Sequence, residues 1–210
     1  MGKLLLIAVF TLLTSGCAVG VKHQYDNVVP EIGVATRAKV AVGVQDARPY
    51  VVSGNKSEDF VGLQRGGFGN PFDVGTLSGN PLARDFLGVM AASLKRSGAS
   101  VIPVELAPKQ KDAEVKKALL GTGADKGVLL VLREWKSDTM MNTALHYDVL
   151  LTILSASGGV LASKTLTGND DLGGSAFNPP EHARGAVPVA FRKKMEALFT
   201  DPAVRKALQQ

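Results

Sequence analysis

The polar and apolar positions of the chain change period several times, and each change marks an element. In "KVAVGVQDAR", Lys39 to Arg48, Val40, Val42 and Val44 alternate with small or polar neighbours, which predicts a strand with one buried face. Pro49 to Asn80 is rich in Gly, Asn and Ser and predicts one or two short strands joined by glycine-dependent turns. From Leu82 the period becomes helical. Leu82, Phe86, Met90, Ser93 and Leu94 form one stripe, with Asn80 as cap, Pro81 at the first position and Gly98 as stop. Ala99 to Leu106 reads as a strand that Pro103 confines to an edge or a bulge. Asp112 to Leu120 predicts a short amphipathic helix ended by Gly121.

Strands dominate the second half. "KGVLLVLREWKSD", beginning at Lys126, is apolar through its first half, the pattern of a central strand covered on both faces. In the next segment Leu145, Tyr147, Val149, Leu151 and Ile153 share one face against His146, Asp148 and Thr152. Ser157-Gly158-Gly159 then turns the chain into a returning partner. Val189 to Phe199 predicts a helix burying Phe191, Met195, Leu198 and Phe199, with Pro188 at its start or at a kink. Asp201-Pro202 opens a last short helix to Leu208. This order predicts an α+β fold, a mixed or antiparallel sheet with two or three helices packed on one face.

The N-terminal pattern is of another kind. Lys3 precedes an apolar run from Leu4 to Leu13, and Ser15-Gly16 supply small residues before Cys17. That is the layout of a secretory signal peptide, too short to span a bilayer. No later segment is apolar enough over the roughly 18 to 20 residues that a membrane helix needs. N-myristoylation of Gly2 fails, because Leu6 stands where that pattern wants Ser or Thr. Ala18 to Arg37 shows no clear period. The predicted organisation is a signal peptide over 1–16, a lipidated N-terminus and tether over 17–37, and a single α+β domain over 38–210.

Cys17 is the only cysteine, and exported proteins ordinarily pair theirs. "LTSGC", Leu13 to Cys17, resembles the bacterial lipobox, with Thr14 where that pattern usually has Leu. The resemblance implies cleavage between Gly16 and Cys17 and a covalent lipid on Cys17, with no other cofactor. Two acyl chains suffice for stable attachment. Ala18, where an Asp would favour inner-membrane retention, resembles the outer-membrane default and implies the periplasmic face of that membrane.

Composition narrows the chemistry. The net charge of +5 is dispersed over short runs such as Arg192 to Lys194, and aromatics are not interleaved with the basic residues, so nucleic acid is not an expected partner. His23, His146 and His182 lack the spacing of a helical metal site, and no nucleophile elbow or other acid–base constellation stands out. The expectation is no metal, no catalytic residues and no enzyme. "RGGFGNPF", Arg65 to Phe72, begins like a dinucleotide loop but has Phe72 at the third glycine position, and it reads as a glycine-dependent turn with aromatics. Asp46 and Arg48 read as a structural pair with each other or with nearby backbone. Met140 and Met141 fall at a hairpin tip, where they either meet a partner or fold back on the core. Arg65, Phe68, Phe72, Met140 and Met141 are the candidate partner contacts.

The quoted layout looks like small outer-membrane lipoproteins of the YajG-like group, with a domain like the N-terminal domain of TolB. The resemblance rests on Cys17, on "VAVGVQDARP", on "FLGVMAASLKRSGASV" and on the terminal "FRKKMEALFTDPAVRKAL". The segment Asn55 to Gly79 is longer than that group would have. The resemblance implies a non-enzymatic accessory or binding module of a cell-envelope complex, held to the membrane by lipid and engaging an envelope protein. The alternative is a carrier of lipid or of a cell-wall fragment, which requires an apolar cavity between sheet and helices.

Overall fold

The apolar run that begins at Gly127 becomes the hub of the sheet. The computed structural model describes residues 21–210. Its elements are β1 (Lys22–His23), β2 (Lys39–Asp46), α1 (Pro49–Val52), β3 (Phe60–Arg65), β4 (Pro71–Thr76), α2 (Leu82–Arg96), β5 (Ser100–Glu105), α3 (Asp112–Leu120), β6 (Lys126–Thr139), β7 (Asn142–Ser155), β8 (Val160–Gly174), α4 (Pro179–Phe199) and α5 (Pro202–Gln209). Gly16 and Cys17 lie outside the described residues.

One edge of β6 pairs antiparallel with β7, which in turn pairs with β8. Its other edge is shared end to end. The first half pairs in parallel with β2 through Leu132, and the last residues pair in parallel with β3 from Ser137. The path β1-β4-β3-β6-β2-β5 and the long β6-β7-β8 meander make one mixed sheet. The predicted α+β class with a mixed sheet is therefore the observed fold. A bulge at Arg133 changes which residues of β6 face inwards. Before it the core takes Val128, Leu130 and Leu132; after it, Trp135.

The gap between β2 and β3 leaves carbonyls of β6 and β3 without strand partners, and Arg48 fills it. Its guanidinium donates to the Phe60 carbonyl at 2.6 Å and the Trp135 carbonyl at 3.1 Å, and it grips Asp46 through Nε at 2.8 Å and Nη2 at 2.6 Å. Both side chains are buried. The Asp46–Arg48 pair is structural, as its position at a strand end suggested.

α2, α4 and α5 cover one face, over a core that joins Val40, Val42, Val44, Phe86, Met90, Trp135, Phe191 and Leu198. α3 covers the opposite face at one end, with Val115 and Leu119 on Ala41 and Leu154. β5 lies at an edge, where the missing amide of Pro103 is tolerated.

Three expectations are corrected. The tether over 17–37 is shorter than its lack of period implied. β1 pairs with β4, and Tyr25, Val28, Ile32 and Val34 are buried in the main core. Tyr25 stacks edge-on with Phe191 and accepts from Trp135 Nε1 at 3.1 Å, so irregular backbone here is fixed by its side chains. α4 begins at Pro179, ten residues before Val189, and carries Pro188 inside it. Asn178 caps it by accepting from the Glu181 amide at 3.2 Å, and the buried Ala183, Val187 and Phe191 hold the helix across the missing hydrogen bond. At α2 the side chain of Asn80 does not cap; it donates to Asp85 at 3.3 Å.

Candidate contact surface

Three connections meet at one end of the sheet: the β3–β4 loop, the β6–β7 tip and the β8–α4 loop. Gln64 of β3 lies beside Thr139 of β6, so the loop after Arg65 and the tip after Thr139 project together. Asn142 opposite Gly174 brings in the third, and the Ser175 amide donates to the Met141 carbonyl at 3.1 Å. A Cβ on Gly174 would sit 2.2 Å from that carbonyl, so only glycine lets β8 approach so closely.

All five candidate contact residues fall at this end, with different roles. Phe68 stands free of the fold at 103% exposure, on a turn in which the Gly66 amide donates to the Asn70 carbonyl at 2.9 Å. Met140 and Met141 form the two-residue tip at 49% and 58% exposure. They do not fold back on the core. Phe72 is less exposed and lies near Gly66, where an added Cβ would be 3.2 Å from its ring. Arg65 is engaged rather than free: it binds Asp138 through Nε at 2.7 Å and Nη2 at 2.6 Å, locking the β3–β4 loop to β6.

Sequence reasoning missed Phe177, which is fully exposed in the β8–α4 loop. The signal was available: an isolated aromatic in "SAFNPP", a stretch of turn and cap chemistry with no period to bury it. Beside the tips, Asp138, Asn142, His146, Asn169 and Asp171 line an open groove of about 410 Å³ on the outer face of the sheet. With Arg65 paired, its polar lining is made of hydrogen-bonding groups and carboxylates.

At the centre of the core Tyr25, Phe86, Trp135 and Phe191 pack with ring centres 4.6 to 6.4 Å apart between the helices and the sheet. The space between sheet and helix lies at the rim, an open groove of about 630 Å³ between β8 and α4 lined by Leu172, Val189, Ala190, Lys193 and Lys194. His23 Nε2 lies 3.0 Å from Ser137 Oγ, a pairing that looks like a nucleophile with its base. Both are buried, and His23 Nδ1 has no partner. Burial, with the nearby Arg184 charge, lowers the His23 pKa to about 4. This pair has no approach for a substrate and no orienting carboxylate. Among the described residues no three His, Cys, Asp or Glu converge as a metal site, and no helix is long and apolar enough to cross a membrane.

No protein-family model matches the chain, and no curated protein matches it either. Solved structures do. A Xanthomonas campestris protein of the DUF330 family is 14% identical over 89% of this chain and 93% of its own, with a TM-score of 0.50. The lipoprotein GNA1162 of Neisseria meningitidis is 11% identical over 76% of this chain and 99% of its own, at a TM-score of 0.38. The PelC dodecamer of Paraburkholderia phytofirmans is 15% identical over 84% of this chain and 92% of its own, at 0.40. The chain thus shares its overall fold with the Xanthomonas protein.

Proposed function

We propose that the chain is a lipid-anchored lipoprotein of the bacterial outer membrane. Its domain serves on the periplasmic face as a non-enzymatic accessory or binding module of a cell-envelope complex. The observation that carries this reading is the lipobox-like Leu13 to Cys17, placed only a few residues before the first strand at Lys22. An acylated Cys17 confines the domain to one leaflet and raises its effective concentration there, so weak contacts with an envelope protein suffice. The aromatic packing at the centre of the core favours a binding module over a carrier.

Two measurements test it. Palmitate labelling in cells marks the wild-type protein, and Cys17→Ala abolishes the label; a labelled alanine variant would refute the anchor. Crosslinking in living cells then captures one dominant envelope protein. Lipid or glycan co-purifying in its place would turn the reading to the carrier.

A further inference from the structure

Four large apolar side chains are exposed on connections that meet at one end of the sheet, and the direction of β1 indicates what covers them. We infer that the loop end bearing Phe68, Met140, Met141 and Phe177 rests on the lipid leaflet that receives the acyl chains of Cys17. The inference deepens the lipid-anchor reading and rests on it.

The first ground is direction. β1 pairs in parallel with β4, Lys22 beside Gly75 and His23 beside Thr76. β4 runs away from the β3–β4 loop, since Arg65 opposes Pro71 and Phe60 opposes Gly75. The N-terminal end of β1 therefore faces the loop end. The second ground is length. Cys17 precedes Lys22 by five residues, a reach of at most about 18 Å at ~3.3 to 3.6 Å per residue. From Gly75 back to Pro71 is about 13 Å at ~3.3 Å per strand residue. A leaflet holding Cys17 thus lies within reach of the tips and out of reach of the far end, where Val160 and Leu161 are.

The third ground is chemistry. Phe68 and Phe177 are fully exposed and the two methionines half so, and all four sit on tips. The one cation on the β3–β4 hairpin's final strand residue, Arg65, is neutralised by Asp138. Apolar insertion, not attraction to anionic headgroups, is what this end offers, since the exposed charge beside the tips is the carboxylate of Asp171.

The test places tryptophan at single positions, Phe68→Trp, Phe177→Trp and, at the opposite end, Val160→Trp, with the buried Trp135 as a constant background. These side chains are exposed, so the fold is unaffected. Each full chain is purified from membranes of the producing bacterium, Cys17 is read by mass spectrometry, and the protein is reconstituted into vesicles of phosphatidylethanolamine and phosphatidylglycerol with brominated acyl chains. Tryptophan at 68 and 177 shifts to the blue and is quenched, and tryptophan at 160 is not quenched. No quenching at 68 and 177, or equal quenching at all three, overturns the docking. So does a photo-crosslinker at 68 that yields protein adducts in cells and no lipid adducts. Absence of an acyl mass on Cys17 refutes the anchor instead. The full chain coupled through Cys17 to a maleimide-headgroup lipid then tests the docking by itself.

Discussion

Removing the Asp46–Arg48 pair piecewise separates two things it does. With Asp46→Ala, the Arg48 guanidinium stays buried without its carboxylate, a defect of about 3–5 kcal/mol for side chains that are both almost wholly buried. Arg48→Met strands Asp46 and also uncovers the carbonyls of Phe60 and Trp135. Each unsatisfied buried carbonyl adds about 1–3 kcal/mol. Against a domain stability of about 5–15 kcal/mol, the arginine variant is near the limit of folding. The double variant Asp46→Leu, Arg48→Met discriminates. If the two residues only balance each other's charge, swapping both for apolar residues is close to neutral. If Arg48 also closes the gap between β2 and β3, the double variant remains about 2–6 kcal/mol below wild type, the loss of two carbonyl partners. Urea denaturation followed by Trp135 emission reads all four states, because this single tryptophan is buried beside the gap. A double variant as stable as wild type would refute the strand-gap account.

Two more changes probe the frame. His23 has a folded pKa of about 4 against an ordinary 6.5. The unfolded chain thus takes up the proton first as pH falls, and stability drops between pH 6.5 and 4 by about 3 kcal/mol. His23→Gln flattens that part of the profile in denaturation at stepped pH; an unchanged slope would place the titration elsewhere. Gly174→Ala drives a Cβ to within 2.2 Å of the Met141 carbonyl, so it costs about 1–3 kcal/mol and loosens the β6–β7 tip, seen as faster exchange of the Ser175 amide, which donates to that carbonyl, than in wild type.

The strands and α2 were legible because burial and period coincide. Val40, Val42 and Val44 face one core, and Leu82, Phe86, Met90 and Leu94 make a stripe that buries as drawn. The start of α4 was not, because Pro188 suggests a break that buried neighbours override, while Asn178-Pro179-Pro180-Glu181 carried the true start signal. From Val28 to Thr36 every second residue is buried, Pro30, Ile32 and Val34 among them, yet the backbone pairs with no strand there; Pro30 and Gly33 interrupt the apolar alternation that would have announced it. At the candidate site, glycine and proline turns marked the β3–β4 loop and the methionine tip. The salt bridge that immobilises Arg65 joins Asp138 on another strand, and no local pattern announces a contact of that range. Phe177 was missed for the converse reason. It belongs to no element, and period-based reading discards residues that belong to none.

The exposure of the tips follows from strand length. Thr139 and Thr143, bonded through their hydroxyls at 3.2 Å, are the last buried residues of β6 and the first of β7, so Met140 and Met141 lie beyond the covered core. Phe68 and Phe177 stand out on loops of the same end. Moving two fully exposed phenylalanines into an apolar phase is worth about 3–6 kcal/mol at ~1.5–3 kcal/mol each. That is small beside the attachment two or more acyl chains on Cys17 would supply, yet ample for orientation where the proposed anchor holds the domain at the surface. Phe68→Ser with Phe177→Ser therefore leaves the membrane-bound fraction unchanged and releases the domain to tumble. A fluorophore on the far end, attached at Val160→Cys in the acylated protein, reports lower anisotropy in the double variant than in wild type. Loss of the protein from the membrane fraction, or equal anisotropy in both proteins, would show that the tips do not orient an anchored domain.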